Sequence, residues 1–244
     1  MVNNLYTISE VAKLLNVSIQ TLRRWDKAGK LKSFRPHKTS KRYYRKADMD
    51  LFLEDIFALA FKWWSNQPLP ADPKPEFYCP TNDYFRFRLD KFNKELENAE
   101  INVDIPLLTA IAGEIGNNSF DHNLGNWPDV PGIFFTYDLN KRQAVLADRG
   151  QGILNTLKRV KPSLQTESEA IQTAFTEILS GRAPETRGNG LKFVRQVILT
   201  SSFDLFFQSG NASLRIDKKT NQLQIMDYGV GLIHVHGTLA QITF

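Results

Sequence analysis

Between Pro68 and Pro80 the stretch PLPADPKPEFYCP carries five prolines in thirteen residues. Each pyrrolidine ring fixes φ and removes a backbone N–H, so neither a helix nor an inner strand continues through such a segment. Proline at this density favours extended chain. The segment therefore reads as a linker. This divides the 244 residues into a first domain over 1–65, a linker over 66–80 and a second domain over 81–244. The composition, 42% hydrophobic and 23% charged, is that of a globular chain with a normal core. No apolar run approaches the ~20 residues needed to span a bilayer. The start, MVNNLYTISE, has neither the basic residues nor the apolar stretch of a secretion signal. A single cysteine, Cys79, excludes an internal disulfide and a Cys-rich zinc site. These features predict a cytoplasmic protein with no membrane partner.

Charge divides along the same line. The first 65 residues hold 13 Lys and Arg against 6 Asp and Glu, and the remainder 18 against 20. A basic first quarter points to a polyanion-binding module, although a well-solvated basic surface explains the same numbers. The local pattern is more specific. Ser9 is a candidate N-cap for a short helix with Val11, Leu14 and Leu15 inward. Ser18 caps a second helix with Ile19, Leu22 and Trp25 inward, and Gly29 stops it. Two short helices joined by a tight turn form a helix-turn-helix pattern. The exposed positions of the second, Gln20, Thr21, Arg23, Arg24 and Lys27, can donate to phosphates or base edges. KLKSF and RYYR then read as a hairpin wing, and DMDLFLEDIFALAFKWW as a helix.

The segments VAKLLNVSIQTLRRWDKAGKL and RYYRKADM resemble the winged helix-turn-helix of the MerR and excisionase families over about fifty residues. The resemblance implies that the second helix enters the major groove while the wing grips the backbone. Thr21, Arg23, Arg24, Lys41, Arg42 and Tyr43 are the contacts expected on that basis. One of Tyr43 and Tyr44 is expected to pack the wing, and Trp25 to sit in the core. Such modules usually act as homodimers on paired half-sites.

In the second domain, DYFRFRLDKFNKELENAE places Phe85, Leu89, Phe92 and Leu96 on one helical face. Asp104 with Pro106 just inside opens the next helix. IFFTYDL, QAVLAD, FDLFFQ, ASLRID, QLQIMD and LAQITF read as strands. Three motifs stand out. On the helix ending EIGNNSFDHN, Glu114, Asn118 and His122 fall at i, i+4 and i+8, with Asp121 on the same side. An amphipathic surface helix explains this stripe as well as a ligand site does. DRGQGI comes directly after a strand, with Asp148 at its end and Gly150 and Gly152 in the turn. A carboxylate there can accept from an amine, and an ordinary Asp-x-Gly turn is the alternative. RGNGL, with Arg187, Gly188, Gly190 and Leu191, opens a helix whose free N–H groups suit phosphate, although one Gly-x-Gly is weak evidence alone. His234 and His236 alternate on one face but lack a third metal ligand.

In their order, EIGNNSFDH, DRGQGI and RGNGL resemble the N, G1 and G2 boxes of the GHKL ATPases, and FFQSGNASLRI with HGTLAQITF resembles the final strands of that superfamily. The resemblance covers roughly residues 81–244. The fold class it implies is α+β in two domains: a small winged helix-turn-helix, then an α/β sandwich of the GHKL (Bergerat) type whose mixed sheet is covered on one face by helices. It implies ATP and Mg²⁺ as cofactors. Glu114 matches the glutamate that orients or deprotonates water, and Asn118 the ligand of Mg²⁺. Asp148 matches the reader of the adenine amine, with Gly150 and Gly152 shaping its turn. Gly188 and Gly190 lie over the phosphates, His122, Arg187 and Leu191 belong to the same boxes, and Thr238 supports the adenine end. Leu154 to Arg187 would be the lid, with Arg182, Arg187 or Lys192 at the γ-phosphate. The function expected is an ATP-binding, DNA-binding transcriptional regulator. The alternative is an anti-sigma-like serine/threonine kinase or weak ATPase acting on a regulatory partner protein.

Overall fold

A computed structural model describes residues 5–15, 17–29, 31–37, 40–53, 55–65, 73, 75–99, 101–177, 190–217, 222–228 and 236–244. The chain divides into two compact units, Met1–Ala58 and Leu59–Phe244. Most of the 66–80 linker lies outside the described residues.

Unit 1 comprises β1 (Leu5–Thr7), α1 (Ile8–Leu14), α2 (Ile19–Lys27), β2 (Tyr43–Arg45) and α3 (Lys46–Leu53). The cap of α1 is Thr7, not Ser9. Its side chain accepts from the Glu10 N–H while Glu10 bonds back to the Thr7 N–H, a reciprocal box that Ser9 cannot make. Ser18 caps α2 as expected, accepting from the Thr21 N–H at 3.0 Å. Val11, Leu22, Leu31, Tyr44 and Met49 form the core, with Trp25 and Phe52 packed against it. Tyr44 is the buried tyrosine of the pair; Tyr43 is half-exposed. β2 pairs with β1, and among the described residues the expected wing hairpin shows one bridge, Phe34 with Tyr43. The helix expected from Asp48 onwards is two helices, α3 and α4 (Ile56–Ser65), and Asp55 accepts from the Phe57 N–H at the start of the second.

Unit 2 contains β3 (Tyr78–Cys79), α5 (Asn82–Asn98), α6 (Ile105–Asn123), β4 (Ile133–Asp138), β5 (Gln143–Asp148), α7 (Gly152–Lys158), α8 (Glu167–Thr176), α9 (Gly190–Thr200), β6 (Asp204–Ser209), β7 (Ala212–Asp217), β8 (Gln222–Asp227) and β9 (Thr238–Thr243). The sheet runs β3-β4-β5-β9-β6-β7-β8. Every described pairing in it is antiparallel, which corrects the expected mixed sheet. The connection through α7–α9 does bring β5 and β6 back in the same direction. β9 then slots between them, antiparallel to both, so no parallel ladder forms.

Alternate strand residues, Phe135, Leu146, Phe207, Leu214, Ala240 and Ile242 among them, join α5, α6, α8 and α9 in one core. Phe85 and Phe92 of α5 meet Phe135 edge-on at 5.3 and 6.1 Å. Each such ring contributes about 1.5–3 kcal/mol by leaving water. Gly116 of α6 lies against the Phe85 ring so closely that a Cβ there would fall 2.2 Å from it. The opposite face of the sheet is not bare, since Trp63 at the end of α4 stacks 6.0 Å from Phe134.

Candidate functional site

In unit 1, Arg23, Arg24 and Lys41 are exposed, as the DNA-contact expectation requires. Thr21 is half-exposed, and its hydroxyl lies 2.9 Å from that of Ser18 in the cap. The Tyr43 ring packs 6.3 Å from Phe34. Arg42 is engaged within the domain: its Nε donates to Asp26 Oδ2 at 2.9 Å. Asp26 also accepts from the Ser33 N–H at 2.9 Å and the Ser33 hydroxyl at 2.7 Å. Three donors on one carboxylate thus tie the second helix to the wing. Partial burial pushes the Asp26 carboxyl up, but the Ser33 and Arg42 donors outweigh it and hold the group below its usual value.

In unit 2 a cleft opens between the helix layer and one end of the sheet. Asn118, His122, Asp148, Gly152, Leu191 and Thr238 line it, together with residues that sequence reasoning missed, notably Ser119, Asn123, Ile153, Thr156 and Phe207. Strand register explains the convergence. Ile133 faces Asp148 across β4 and β5, while Ser209 faces Thr238 across β6 and β9. Side chains opposite each other in an antiparallel pair share a face, here the helix-covered one.

Asp148, 1% exposed, is the deepest polar group of the cleft. Its Oδ2 accepts from the Ser119 hydroxyl at 2.9 Å and from the Thr238 hydroxyl; its Oδ1 accepts from the Gly150 N–H at 2.8 Å. Burial pushes its carboxyl up, and the Thr238, Gly150 and Ser119 donors partly offset that. Asn123 braces the turn from behind. Its Oδ1 accepts from the Gln151 N–H at 2.8 Å and its Nδ2 donates to the Ser119 carbonyl at 2.7 Å. At Gly150 a Cβ would fall 2.0 Å from Asn123 Nδ2, so a side chain there would displace the brace. Gly237, at φ +83°, sits where a Cβ would fall 2.0 Å from the Asp148 carbonyl oxygen. Only glycine lets β9 begin there.

The other end of the cleft is formed by α6 and the start of α9. A Cβ at Gly190 would lie 2.6 Å from Glu114 Oε2 and 3.2 Å from Asn118 Nδ2, so the polar stripe of α6 meets the glycine that starts α9. Lys192 is half-exposed. Arg182, Arg187, Gly188 and His234 lie outside the described residues. Of the expected lid from Leu154 to Arg187, residues 154–177 are described. α7 and α8 are folded, and Leu157, Leu164, Ala170, Ile171 and Phe175 are buried.

The lining is chemically two-ended. A buried carboxylate ends the cleft, apolar Ile115, Ile153, Leu191 and Phe207 flank it, and backbone without side chains adjoins Glu114 and Asn118. Among the described residues no group of three or more His, Cys, Asp and Glu could hold a metal ion. A cation at Asn118 would thus need further oxygens, such as those of phosphates. Among the described residues no helix is long and apolar enough to cross a membrane.

Residues 5–56 match the family model of a helix-turn-helix domain. Unit 1 is a helix-turn-helix domain. Such a domain has DNA as its expected partner. A Type II methyltransferase of Escherichia coli, M.Eco47II, is 41% identical over 63 residues, which are 26% of this chain and 15% of that protein. The chain thus spans a small part of the length of the curated relative it matches.

Proposed function

We propose that the chain is an ATP-binding transcriptional regulator, whose GHKL-like second domain tunes DNA binding by the helix-turn-helix. The observation that carries this reading is the buried Asp148 carboxylate at the closed end of a cleft whose other end joins Glu114, Asn118 and the glycine start of α9. In this reading Asp148 accepts from the exocyclic amine of adenine, with Thr238 and Ser119 orienting its Oδ2. Ile153 and Phe207 exclude water from the ring. Asn118 holds Mg²⁺, which when bound neutralises phosphate charge. The free N–H groups at the start of α9 face the phosphates. The basic exposed face of α2, with Arg23 and Arg24, meets DNA. The methyltransferase match covers too little of that protein for methyl transfer to be carried over.

Calorimetric titration of the full chain with ATP and Mg²⁺ tests the reading. It should show binding that Asn118→Asp abolishes, because a second negative charge would face the phosphates. Equal binding by the variant would refute the site. Selection of bound duplexes from fragmented genomic DNA, with and without ATP, tests the regulatory part; identical recovery in both would refute tuning. A second reading, a protein kinase or weak ATPase, is favoured by Glu114, whose Oε2 adjoins Gly190. Glu114→Ala should then spare ATP binding and remove phosphate release or transfer to a partner protein.

A further inference from the structure

Arg149 comes directly after the cleft carboxylate and is buried, 2% exposed. A guanidinium out of water persists only where its charge and its fork of donors are met. Its Nε and Nη2 donate to Asp129 Oδ2 at 2.8 and 2.5 Å. Its Nη1 donates to the carbonyls of Trp63 at 3.0 Å and Trp64 at 2.7 Å. Those carbonyls belong to the last turn of α4, where no intrahelical donor remains and a cation is favoured. The same turn is held by Trp63, stacked on Phe134, and by the fully buried Trp64.

One short turn therefore serves two tasks. Asp148 faces the cleft and is bonded by the Gly150 N–H, while Arg149 between them grips the end of α4. The division between the units falls after Ala58 within α4 (Ile56–Ser65), so Trp63 and Trp64 belong to unit 2 together with Arg149 and Asp129.

We propose that Arg149 is a positioning residue that transmits occupancy of the Asp148 cleft to α4. The proposal rests on the nucleotide reading for its ligand. A ligand amine donating to Asp148 competes with the Ser119, Thr238 and Gly150 donors already on that carboxylate. Any resulting shift of the 148–150 backbone moves the root of the Arg149 side chain, whose tip is fixed to Asp129 and the two carbonyls. The bound and free states then differ in how firmly the end of α4 is held, which is the differential interaction that a ligand-driven change requires.

The four tryptophans are Trp25, Trp63, Trp64 and Trp127. In the full chain carrying Trp25→Phe and Trp127→Phe, emission reports the end of α4 alone. Titration with ATP and Mg²⁺ should shift that emission with the same midpoint as the calorimetric heat. Arg149→Gln should lose the shift while retaining the heat, and Arg149→Lys, keeping charge without the fork, should recover part of it. Asp129→Asn loosens the anchor without removing the guanidinium; it should reduce the shift, and it carries the test if a thermal melt shows Arg149→Gln unfolded. Heat without any shift in the parent, or an undiminished shift in the variants, overturns the coupling alone. No heat in the parent overturns the nucleotide reading and the coupling together.

Discussion

Asp148 combines an ionisable carboxyl with nearly complete burial, and its pH behaviour reflects both. Its folded-state pKa is raised, first by burial, with hydrogen bonds from Thr238, Gly150 and Ser119 acting against the shift. A raised carboxyl favours folding below the unfolded value, and that contribution disappears as pH rises through the folded value. Asp148→Asn keeps the shape, and the Ser119 and Thr238 hydroxyls can turn to accept from the new amide. The melting temperature of the variant relative to the parent should thus climb as pH rises from about 4. A difference that does not change with pH would contradict a buried carboxylate. Nucleotide affinity of the same variant should fall about tenfold or more, as loss of a charge-assisted hydrogen bond implies. Two glycines should behave in opposite ways. At Gly190 a new Cβ meets the movable end of Glu114, so Gly190→Ala should fold normally and bind ATP poorly by calorimetry. At Gly237 it meets backbone at positive φ, so Gly237→Ala should lower the melting temperature sharply. Asp148 and Thr238 are legible in the sequence because they sit in short motifs with known neighbours. Phe207 is not, since nothing local separates a cleft-lining phenylalanine from the core positions on the same strand.

At the scale of elements, the clasp on Asp26 links α2 to the wing through Ser33 and Arg42. Asp26→Ala removes all three bonds and should destabilise unit 1 by about 2 kcal/mol, measured by chemical denaturation. Because the carboxyl of Asp26 is held below its usual value, its contribution is present above the unfolded pKa and fades as pH falls through the lowered one. DNA affinity should drop more in this variant than in Thr21→Ala, measured on one selected duplex. Where helices meet, Gly116 admits the Phe85 ring, and Gly116→Ala should cost about 1–3 kcal/mol by overpacking. Caps account for much of what the sequence reveals about helices. Ser18 and Asp104 each start their helix because a side-chain oxygen meets an N–H three residues on. Ser9 misleads because it precedes an apolar stripe, while Thr7 has the glutamate three residues later that closes the box. The Asp26 clasp spans 7 and 16 residues, and no local pattern announces it.

Across the whole molecule, positive charge is concentrated in the helix-turn-helix part of a chain of net charge +5. DNA binding by the full chain should weaken steeply with salt, and Arg23→Ala and Arg24→Ala should each reduce the log–log slope by about 0.9 if each contacts one phosphate. An unchanged slope would remove that arginine from the interface. The proline-dense segment predicts a break at 66–80, whereas the compact units divide after Ala58 within α4, and Trp63 before the prolines and Tyr78–Cys79 among them both pack on β4. Strand order is illegible, because each strand pattern fixes an element and leaves its neighbour unspecified. The insertion of β9 between β5 and β6 has a consequence for synthesis. During vectorial emergence from a ribosome, the halves β3-β4-β5 and β6-β7-β8 are made before the strand that joins them. Until β9 arrives, both halves present open inner edges, and Thr238, which completes the bonding of Asp148, is still absent. The inner edge of β5 therefore stays unpaired from its synthesis until residues 238–243 are made, and an unpaired edge is a site of mispairing.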